Sequence, residues 1–375
     1  MIEDKVAISG VGRSVMGRRL GRDPWLLTAE AALAAIADAG LTVDAIDGLS
    51  TYPGGTWSTP GITGAGVDDV KALLGIRTRW HTGGGELPGQ LGSIVNAALA
   101  VAGGLCEHVL CFRTVWESTA QTQLGGRAQT LSKPTAAREL DQWTKPFGAG
   151  YSTYGALTMQ RYMHESGSTR EQLAQIALIA RANAASNPAA VYREPLSLDD
   201  YMGARMISDP LCLYDCDVPM DGSVAMVVSR ADSASIDRRR AISFQAVGSA
   251  TGLAASAEMM WSRTALKPAD VDLAELYDGF SILAVQWMEA LGLCPRNEGG
   301  RFIEGGARIR VGGELPLNTG GGQLSGGRMH GYGALHQACR QLRGEAEGVQ
   351  VEPRPQVAVV SSGAESFSSC LLLSR

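Results

Sequence analysis

The sequence predicts an α/β protein built from two similar halves. The run "KVAISGVG" at residues 5–12 is short, apolar and ended by glycine, which is typical of a buried strand. Strand-like and helix-like stretches then alternate through residue 114, the rhythm of a sheet covered by helices on both faces. The run "AISFQAVGSATG" at 241–252 resembles the opening run, and 375 residues are enough for two such units.

Local signals place the elements of the first half, residues 1–230. Asp23 is positioned to cap a helix whose first residue is Pro24 and whose end is marked by Gly40. The remaining elements are predicted as strands at 46–52, 108–114 and 223–229 and a helix at 91–104.

The middle of the chain is expected to leave this sheet as an excursion of about 117–222. Residues 117–150 are polar, glycine-rich and without periodicity, so they predict a long surface loop. A helix is predicted at 152–167, and Ser168 with Glu171 gives the S-x-x-E capping box of another helix.

The second half, residues 241–375, repeats the alternation. The elements expected after its first strand are "DLAELYDGF" at 272–280, a helix through about 292, a glycine loop at 318–327, a helix at 333–343 and strands at 356–363 and 368–374. Ligands in such sheets tend to bind beyond the carboxyl ends of the strands.

Composition excludes several classes of protein. A net charge of −5 and a pI near 5.6 provide no basic surface, so nucleic acid is not an expected partner. Seven scattered cysteines without zinc-ligand spacing predict reduced thiols and no metal site. The first residues do not resemble a signal peptide, and no apolar run approaches the roughly 18–20 residues of a membrane span. We therefore expect a cytoplasmic protein.

The stretch "SGGRMHGYG" at 325–333 is the strongest candidate for a site. Glycines allow close approach to a ligand and left-handed backbone, and here they surround Arg328, His330 and Tyr332.

Three long motifs carry a family resemblance. They are "MISDPLCLYDCDVPMDGSVAMVV" at 206–228, "VDLAELYDGFS" at 271–281 and "NTGGGQLSGGRMHGYG" at 318–333. With the duplicated pattern, they resemble the thiolase superfamily, in particular the sterol-carrier-protein-x or lipid-transfer-protein type. The resemblance covers almost the whole chain and implies a thiolase-like fold, two duplicated α/β halves in an α-β-α-β-α arrangement.

The departures from the thiolase pattern bear on the chemistry. The stretch at 82–98, where the resemblance places the nucleophilic cysteine at a helix start, contains no cysteine, and Glu86 falls near that position. Tyr277 stands at the position of an imidazole or amide, and Arg328 and Met329 replace the histidine and proline of the third motif. The last cysteine motif becomes "SSGAES" at 361–366, so chemistry through an acyl-cysteine is not expected.

Another branch of the family is similar in these departures, the steroid side-chain retro-aldolases. The resemblance implies cleavage of a β-hydroxyacyl-CoA into a ketone and a shorter acyl-CoA, such as propionyl-CoA or acetyl-CoA. It also implies a small DUF35 partner with an OB fold, and a homodimer core within a heterotetramer. No cofactor is expected in this chain, because CoA belongs to the substrate and any zinc would belong to the partner.

This chemistry needs a base for the hydroxyl, stabilisation of the enolate and an acid for its carbon. Tyr277, beside Asp278 at the end of a strand, is our first choice for the base, and Tyr332 or His330 for the acid. An ordinary tyrosine pKa of about 10 is too high for a base, so Arg328 and His330 are expected to lower it. The backbone amides of the glycine loops would stabilise the enolate. Substrate or CoA contacts are expected at the following positions: Asn318, Gly321, Gly322, Gly331 and Gly363.

Structural explanations compete with each of these assignments. Tyr277 can be a core residue, Tyr332 can pack at a helix start, and Arg328 is as well explained by a surface ion pair. Glu86 can serve only the helix dipole, and His336 is interpreted as structural. Two other functions also remain open: a thiolase-type acyltransferase with an unusual nucleophile, and a non-catalytic lipid or acyl-CoA carrier.

Overall fold

The structure is a computed structural model that describes residues 1–54, 60–84, 89–124, 142–365 and 367–375. The strands are β1 Val6–Arg13, β2 Gly48–Thr51, β3 Trp80–Gly83, β4 His108–Trp116, β5 Met206–Ser208, β6 Leu211–Cys212, β7 Asp221–Arg230, β8 Ile242–Ala250, β9 Leu273–Glu275, β10 Val357–Ala364 and β11 Phe367–Ser374. The α-helices are α1 Pro24–Asp38, α2 Val67–Leu74, α3 Gly92–Ala102, α4 Glu117–Leu124, α5 Tyr151–Ser166, α6 Arg170–Ala184, α7 Leu198–Met202, α8 Leu253–Trp261, α9 Ser281–Ala290, α10 Gly299–Ile303 and α11 Tyr332–Arg343.

The sheet shows the duplication directly. Within the described residues, nine strands are joined in the order β3-β2-β4-β7-β1-β8-β11-β10-β9. The run β2-β4-β7-β1 matches β9-β10-β11-β8 from the opposite edge: the outer pair is parallel and the next two pairs are antiparallel. The two halves are therefore the same unit used twice.

In the part of the chain that the structure describes, three hydrophobic clusters define five layers. One packs α1 and α2 against the outer face of the first half. The central cluster joins α3 and α11 to strands of both halves, and the third packs α5, α6, α8 and α9 on the outer face of the second half. The expected α-β-α-β-α arrangement is confirmed.

The ladder that joins the halves is short. β1 pairs with β8 through two residue pairs, Ala7 with Ser243 and Ile8 with Ile242, whereas β4 pairs with β7 along nine. Side chains reinforce this seam: Arg343 donates to Asp38 Oδ2 at 2.6 Å and to the Ser9 carbonyl at 3.1 Å.

Two local predictions were wrong. Part of the expected loop at 117–150 is helical, since α4 begins directly after β4. Ser118 and Thr119 fix its start by donating from their hydroxyls and an amide to the buried carboxylate of Asp221. The capping box of α6 is formed by Thr169 and Gln172, one residue later than predicted.

The shift of the capping box has a local cause. Gly167, in left-handed conformation, ends α5, and the hydroxyl of Ser168 is bonded to that of Ser166 at 2.8 Å. Thr169 is then the first hydroxyl in position to accept from the amide of Gln172, at 3.3 Å.

Candidate active site

The site lies where loops of both halves meet at the carboxyl ends of parallel strands. Tyr52 follows β2 and Tyr277 follows β9, and a glycine-rich loop at 318–331 passes beside them with a π-helical turn at Gly322–Gly326. A cavity of about 70 Å³ runs along this loop, and Tyr277, Asp278 and Asn318 contribute to its wall.

The glycine loop is held by side chains of the neighbouring strand end. The Asn318 side chain accepts from the Leu276 amide at 2.7 Å, and Asp278 Oδ1 accepts from the Gln323 amide at 2.8 Å. Gly321 and Gly322 have φ of 100° and 56°, and a Cβ on Gly322 would lie 2.0 Å from Asp278 Oδ2. Glycine is needed here because the Asp278 carboxylate occupies the space of a side chain.

Tyr277 is half-buried, and its amide donates to Ser361 Oγ at 3.0 Å, which ties it to β10. Burial raises the pKa of Tyr277, Asp217 raises it further, and Arg328 only partly opposes them. Arg328 thus acts in the expected direction, but burial and Asp217 outweigh it and the net shift of the pKa is upward. In the free protein the tyrosine is protonated at neutral pH.

Arg328 is an ion-pair residue, but not one at the surface. Its Nε lies 2.8 Å from Glu117 Oε2 and its Nη1 lies 3.0 Å from Asp217 Oδ1. The exposed fractions of these carboxylate side chains are 6% and 11%, against 24% for Arg328. The arginine charge is therefore paired with two carboxylates, and one of them, Asp217, itself raises the pKa of Tyr277. Burial raises the pKa of Asp217 to about 6 even though Arg328 opposes this.

His330 contacts a buried arginine that the sequence analysis did not identify. Arg113 Nη2 lies 3.0 Å from His330 Nδ1, and the His330 amide donates to Gln323 Oε1 at 2.9 Å. Burial lowers the pKa of His330 well below its ordinary value, and the charges of Arg113 and Arg328 lower it further. A neutral imidazole is a poor acid, so this geometry disfavours His330 as the donor of a proton to the enolate.

Tyr332 begins α11 and is fully buried. Its hydroxyl lies 2.6 Å from Ser93 Oγ, and Ser93 in turn donates to the Gln90 carbonyl at 3.0 Å, so the tyrosine donates to the serine. Burial raises the pKa of Tyr332. The bond joins α11 of the second half to the start of α3, where the resemblance places the thiolase nucleophile.

Two buried acids of the site have raised pKa values and can therefore carry a proton near neutral pH. Burial raises the pKa of Asp278 to about 7 and that of Glu275 to about 8. Glu275 accepts from the amide and hydroxyl of Thr319, whereas Asp278 Oδ2 and Asn318 Nδ2 have no hydrogen-bond partner in the described structure. Unpaired buried polar atoms are costly, which is typical of a site that binds water or a ligand.

The other predicted positions are distributed around this centre. Gly331 packs against Ser362, and a Cβ there would lie 2.8 Å from the serine Cβ. Gly363, with φ of 85°, lies in the β10–β11 hairpin, and its carbonyl accepts from Trp287 at 3.1 Å. Glu86 lies outside the described residues. His336 is buried on α11, and burial lowers its pKa to about 4.

The structure adds Tyr52, Arg113, Asp217 and Gln323 to the site. Only Arg113 carries a sequence signal, a charged residue within the apolar run "HVLCFRTVW" of β4. In the described ranges, no group of three or more histidine, cysteine or acidic side chains is arranged to hold a metal ion. The described helices also include none that is long and apolar enough to cross a membrane.

Comparison with known proteins identifies the family. Residues 233–374 match the model of the thiolase C-terminal domain-like family. The chain is 33% identical to the steroid side-chain-cleaving aldolase of Thermomonospora curvata over 360 residues, covering 90% of each chain. It is 32% identical to the 17-hydroxy-3-oxo-4-pregnene-20-carboxyl-CoA lyase of Mycobacterium tuberculosis, covering 92% of this chain and 93% of that protein. The chain belongs to the thiolase superfamily.

Solved structures refine this assignment. The Ltp2-ChsH2(DUF35) aldolase superposes with a TM-score of 0.87 at 30% identity, covering 100% of this chain and 98% of that one. A monomeric SCP2-thiolase-like protein from Mycobacterium smegmatis, at 18% identity, shares the fold, with a TM-score of 0.68 over 100% of this chain and 78% of the other. Within the superfamily the protein is therefore a thiolase-like carbon–carbon lyase of the aldolase group.

Proposed function

We propose that this protein is a retro-aldolase that cleaves a β-hydroxyacyl-CoA, specifically a steroid side-chain thioester, into a ketone and a shorter acyl-CoA. Its relatives supply the substrate class. The observation that carries the reaction type is the cluster of Tyr277, the buried acids and the Arg113–His330 pair at the place of the thiolase machinery. These groups can move protons and stabilise an anion, and neither task needs a covalent intermediate.

The proposed reaction begins with the β-hydroxyl. Tyr277 accepts its proton as the tyrosine's own proton passes towards Asp217, because burial leaves Tyr277 protonated at rest and the pKa of Asp217 is near 6. The Cα–Cβ bond then breaks, its electron pair forms the thioester enolate, and the hydroxyl carbon becomes the ketone. The enolate carbon takes up one proton, which we assign to Tyr332, the protonated tyrosine beside Ser93 at the start of α3. The proton gained at Asp217 equals the one given by Tyr332, so exchange with solvent restores both groups, and the net reaction consumes no water and no cofactor.

We also propose that the reaction is independent of cysteine. Residues 82–98 contain no cysteine, and six of the seven cysteines are buried while Cys216 is half-buried. Burial raises the pKa of Cys216 to about 12 and that of Cys212 to about 11, so neither is a thiolate at neutral pH.

A phenylalanine substitution tests the proton transfer. Tyr277→Phe should lower kcat by roughly 10²–10⁴-fold, the usual contribution of a positioned acid or base, while CoA-ester binding persists. The assay is mass-spectrometric release of ketone and acyl-CoA, and Tyr154→Phe, at an exposed tyrosine on α5, is the matched control. Normal cleavage by Tyr277→Phe would overturn the mechanism, and normal transport without any cleavage by the wild type would support the lipid-carrier alternative.

Thiol alkylation separates this proposal from the acyltransferase alternative. Treatment with iodoacetamide should leave cleavage intact. A loss of activity on alkylation, together with an acylated cysteine found by peptide mass spectrometry in untreated protein incubated with the thioester, would favour an acyltransferase with an unusual nucleophile.

We propose a small DUF35 protein with an OB fold as the partner, in a heterotetramer around a homodimer of this chain. The structural neighbour described as the Ltp2-ChsH2(DUF35) aldolase supports the partner. Co-expression with candidate OB-fold proteins, followed by affinity purification and light scattering, should yield a complex that cleaves the thioester. A chain that is fully active after purification alone would contradict a required partner.

A further inference from the structure

Arg113 is a buried cation that forms no ion pair with the residues that the structure describes. Its exposed fraction is 1%, and no carboxylate of the described residues lies within 4.0 Å of it. The Ile62 and Thr114 carbonyls accept from Nη1, the Tyr52 ring lies 5.6 Å away, and Nε has no hydrogen-bond partner. Burial lowers the pKa of Arg113 only to about 10, so the side chain remains charged. A buried charge with no carboxylate partner among these residues is costly to fold around, which is typical of a functional site.

The contact with His330 determines which imidazole nitrogen carries the proton. A guanidinium has donors and no acceptor, so Arg113 Nη2 must donate and His330 Nδ1 must accept across the 3.0 Å between them. In the neutral ring the proton is then on Nε2. This nitrogen makes no hydrogen bond to the residues that the structure describes and is available to a ligand.

The backbone also holds the ring in place. His330 has φ of 50°, an uncommon conformation for a residue other than glycine, and the Gln323 side chain accepts from its amide at 2.9 Å. Strained conformations at a site persist where the surrounding structure requires them.

We propose that Arg113 is a positioning residue that holds His330 as a neutral Nε2–H donor, and that this donor stabilises the thioester-enolate oxygen. The role rests on the proposed aldolase function, in which negative charge develops on that oxygen. Arg113 contributes twice, since it fixes the tautomer and places a positive charge behind the imidazole. A donor already oriented at rest requires no reorganisation when the charge appears.

The tautomer can be measured without any activity. In protein labelled with ¹⁵N-histidine, long-range ¹H–¹⁵N spectra distinguish a protonated Nε2 from a protonated Nδ1, and His330→Gln identifies the signal among the five histidines. We expect the Nε2–H form at neutral pH in the wild type and loss of that single tautomer in Arg113→Met. An Nδ1–H form or an imidazolium in the wild type would overturn the proposal, and this result requires no variant to fold.

Binding of an anionic mimic tests the role in catalysis separately. An S-(nitroalkyl)-CoA ionises to a nitronate that resembles the enolate, and the S-alkyl-CoA thioether is its neutral counterpart. The wild type should prefer the nitronate, and His330→Ala should reduce this preference by about 10–150-fold, the value of a hydrogen bond to an anion. His164→Ala, at an exposed histidine of α5, is the matched control. An unchanged preference in His330→Ala would refute the proposed donor.

Turnover gives the final comparison and separates the two proposals. If the wild type cleaves the thioester, His330→Ala should lower kcat by roughly 10²–10³-fold, as for removal of one oxyanion donor. His330→Gln, which places an amide N–H near the position of Nε2, should recover part of this loss, and His330→Asn should not. A nitronate preference without cleavage would contradict the aldolase proposal and leave the anion-binding pair intact. Cleavage at the wild-type rate by both His330→Ala and His330→Asn would contradict the proposed donor and leave the aldolase proposal intact.

Discussion

Replacement of Gly322 by alanine should destabilise the protein through the Asp278 carboxylate. The added Cβ would lie 2.0 Å from Asp278 Oδ2, closer than any real contact, and φ at this position is 56°. Left-handed backbone costs alanine roughly 1–2 kcal/mol, and overpacking of a filled interior costs roughly 1–3 kcal/mol more. The free energy of unfolding should therefore fall by roughly 2–5 kcal/mol.

Gly305 offers a matched control for the strain alone. Its φ is 68°, similar to that of Gly322, but a Cβ there would have nothing within 4 Å. Gly305→Ala should lower the free energy of unfolding only by the roughly 1–2 kcal/mol that left-handed backbone costs alanine. The free energy of unfolding of both variants can be measured by urea denaturation. The difference between the two losses of stability is then the cost of the overlap between the added Cβ and Asp278.

The same pair of variants separates stability from function. Asp278 Oδ1 holds the Gln323 amide, so moving the carboxylate displaces the turn that supports His330. We expect Gly322→Ala to lose cleavage activity even at temperatures where it is folded, and Gly305→Ala to retain it. Equal losses of stability in the two variants, or full activity in folded Gly322→Ala, would refute this reasoning.

Three further predictions concern buried polar groups. Burial raises the pKa of Glu275 to about 8 from an ordinary 4.5, so the folded state favours the protonated carboxyl. The stability that this preference contributes is fully present below pH 4.5 and is lost as pH rises to 8. The free energy of unfolding, measured from pH 5 to 8, should therefore fall less steeply with pH in Glu275→Gln than in wild type. The two slopes should differ by up to about 1.4 kcal/mol per pH unit, and equal slopes would contradict this prediction. Arg328→Met should cost roughly 3–5 kcal/mol by leaving two carboxylates unpaired, and adding Asp217→Asn should restore part of it in the same denaturation assay; no restoration would argue against the pair. Tyr332→Phe should cost roughly 1–3 kcal/mol for its buried hydrogen bond and lower kcat by roughly 10²-fold or more, so a stable, active variant would remove Tyr332 from the mechanism.

Sequence reasoning succeeded where the determinants are local. The helix at Pro24–Asp38 follows from Asp23, which accepts from the Trp25 amide, and from proline at its first position. The buried strands at Val6–Arg13 and Ile242–Ala250 follow from continuous apolar runs, and their similarity revealed the duplication. Such signals lie within a few residues of the element that they specify.

Elements that depend on distant partners were missed. The helix Glu117–Leu124 has no apolar periodicity, and its start is organised by Asp221, which lies 102 residues beyond Thr119. The capping box of α6 was misplaced because Ser168 and Thr169 are both suitable caps, and only the end of the preceding helix decides between them.

The same distinction applies to the site. The glycine loop and Tyr277 were visible as motifs, but the direction of the tyrosine pKa depends on its burial and on Asp217, which lies 60 residues before it in the chain. Arg113 was overlooked because its partner His330 is 217 residues away. Such pKa shifts and contacts depend on which groups surround a side chain in three dimensions, and a sequence motif does not specify those groups.

The two-pair ladder between β1 and β8 has a consequence for how such a protein diverges. Each half completes most of its backbone pairing internally, and the halves are joined largely by side chains such as Arg343 with Asp38. The sequence of a loop in one half can therefore change while the strands of the other half keep their register. The candidate site is formed by residues of both halves, such as Arg113 and His330, so substitutions on one side of it leave the strands of the other half unchanged.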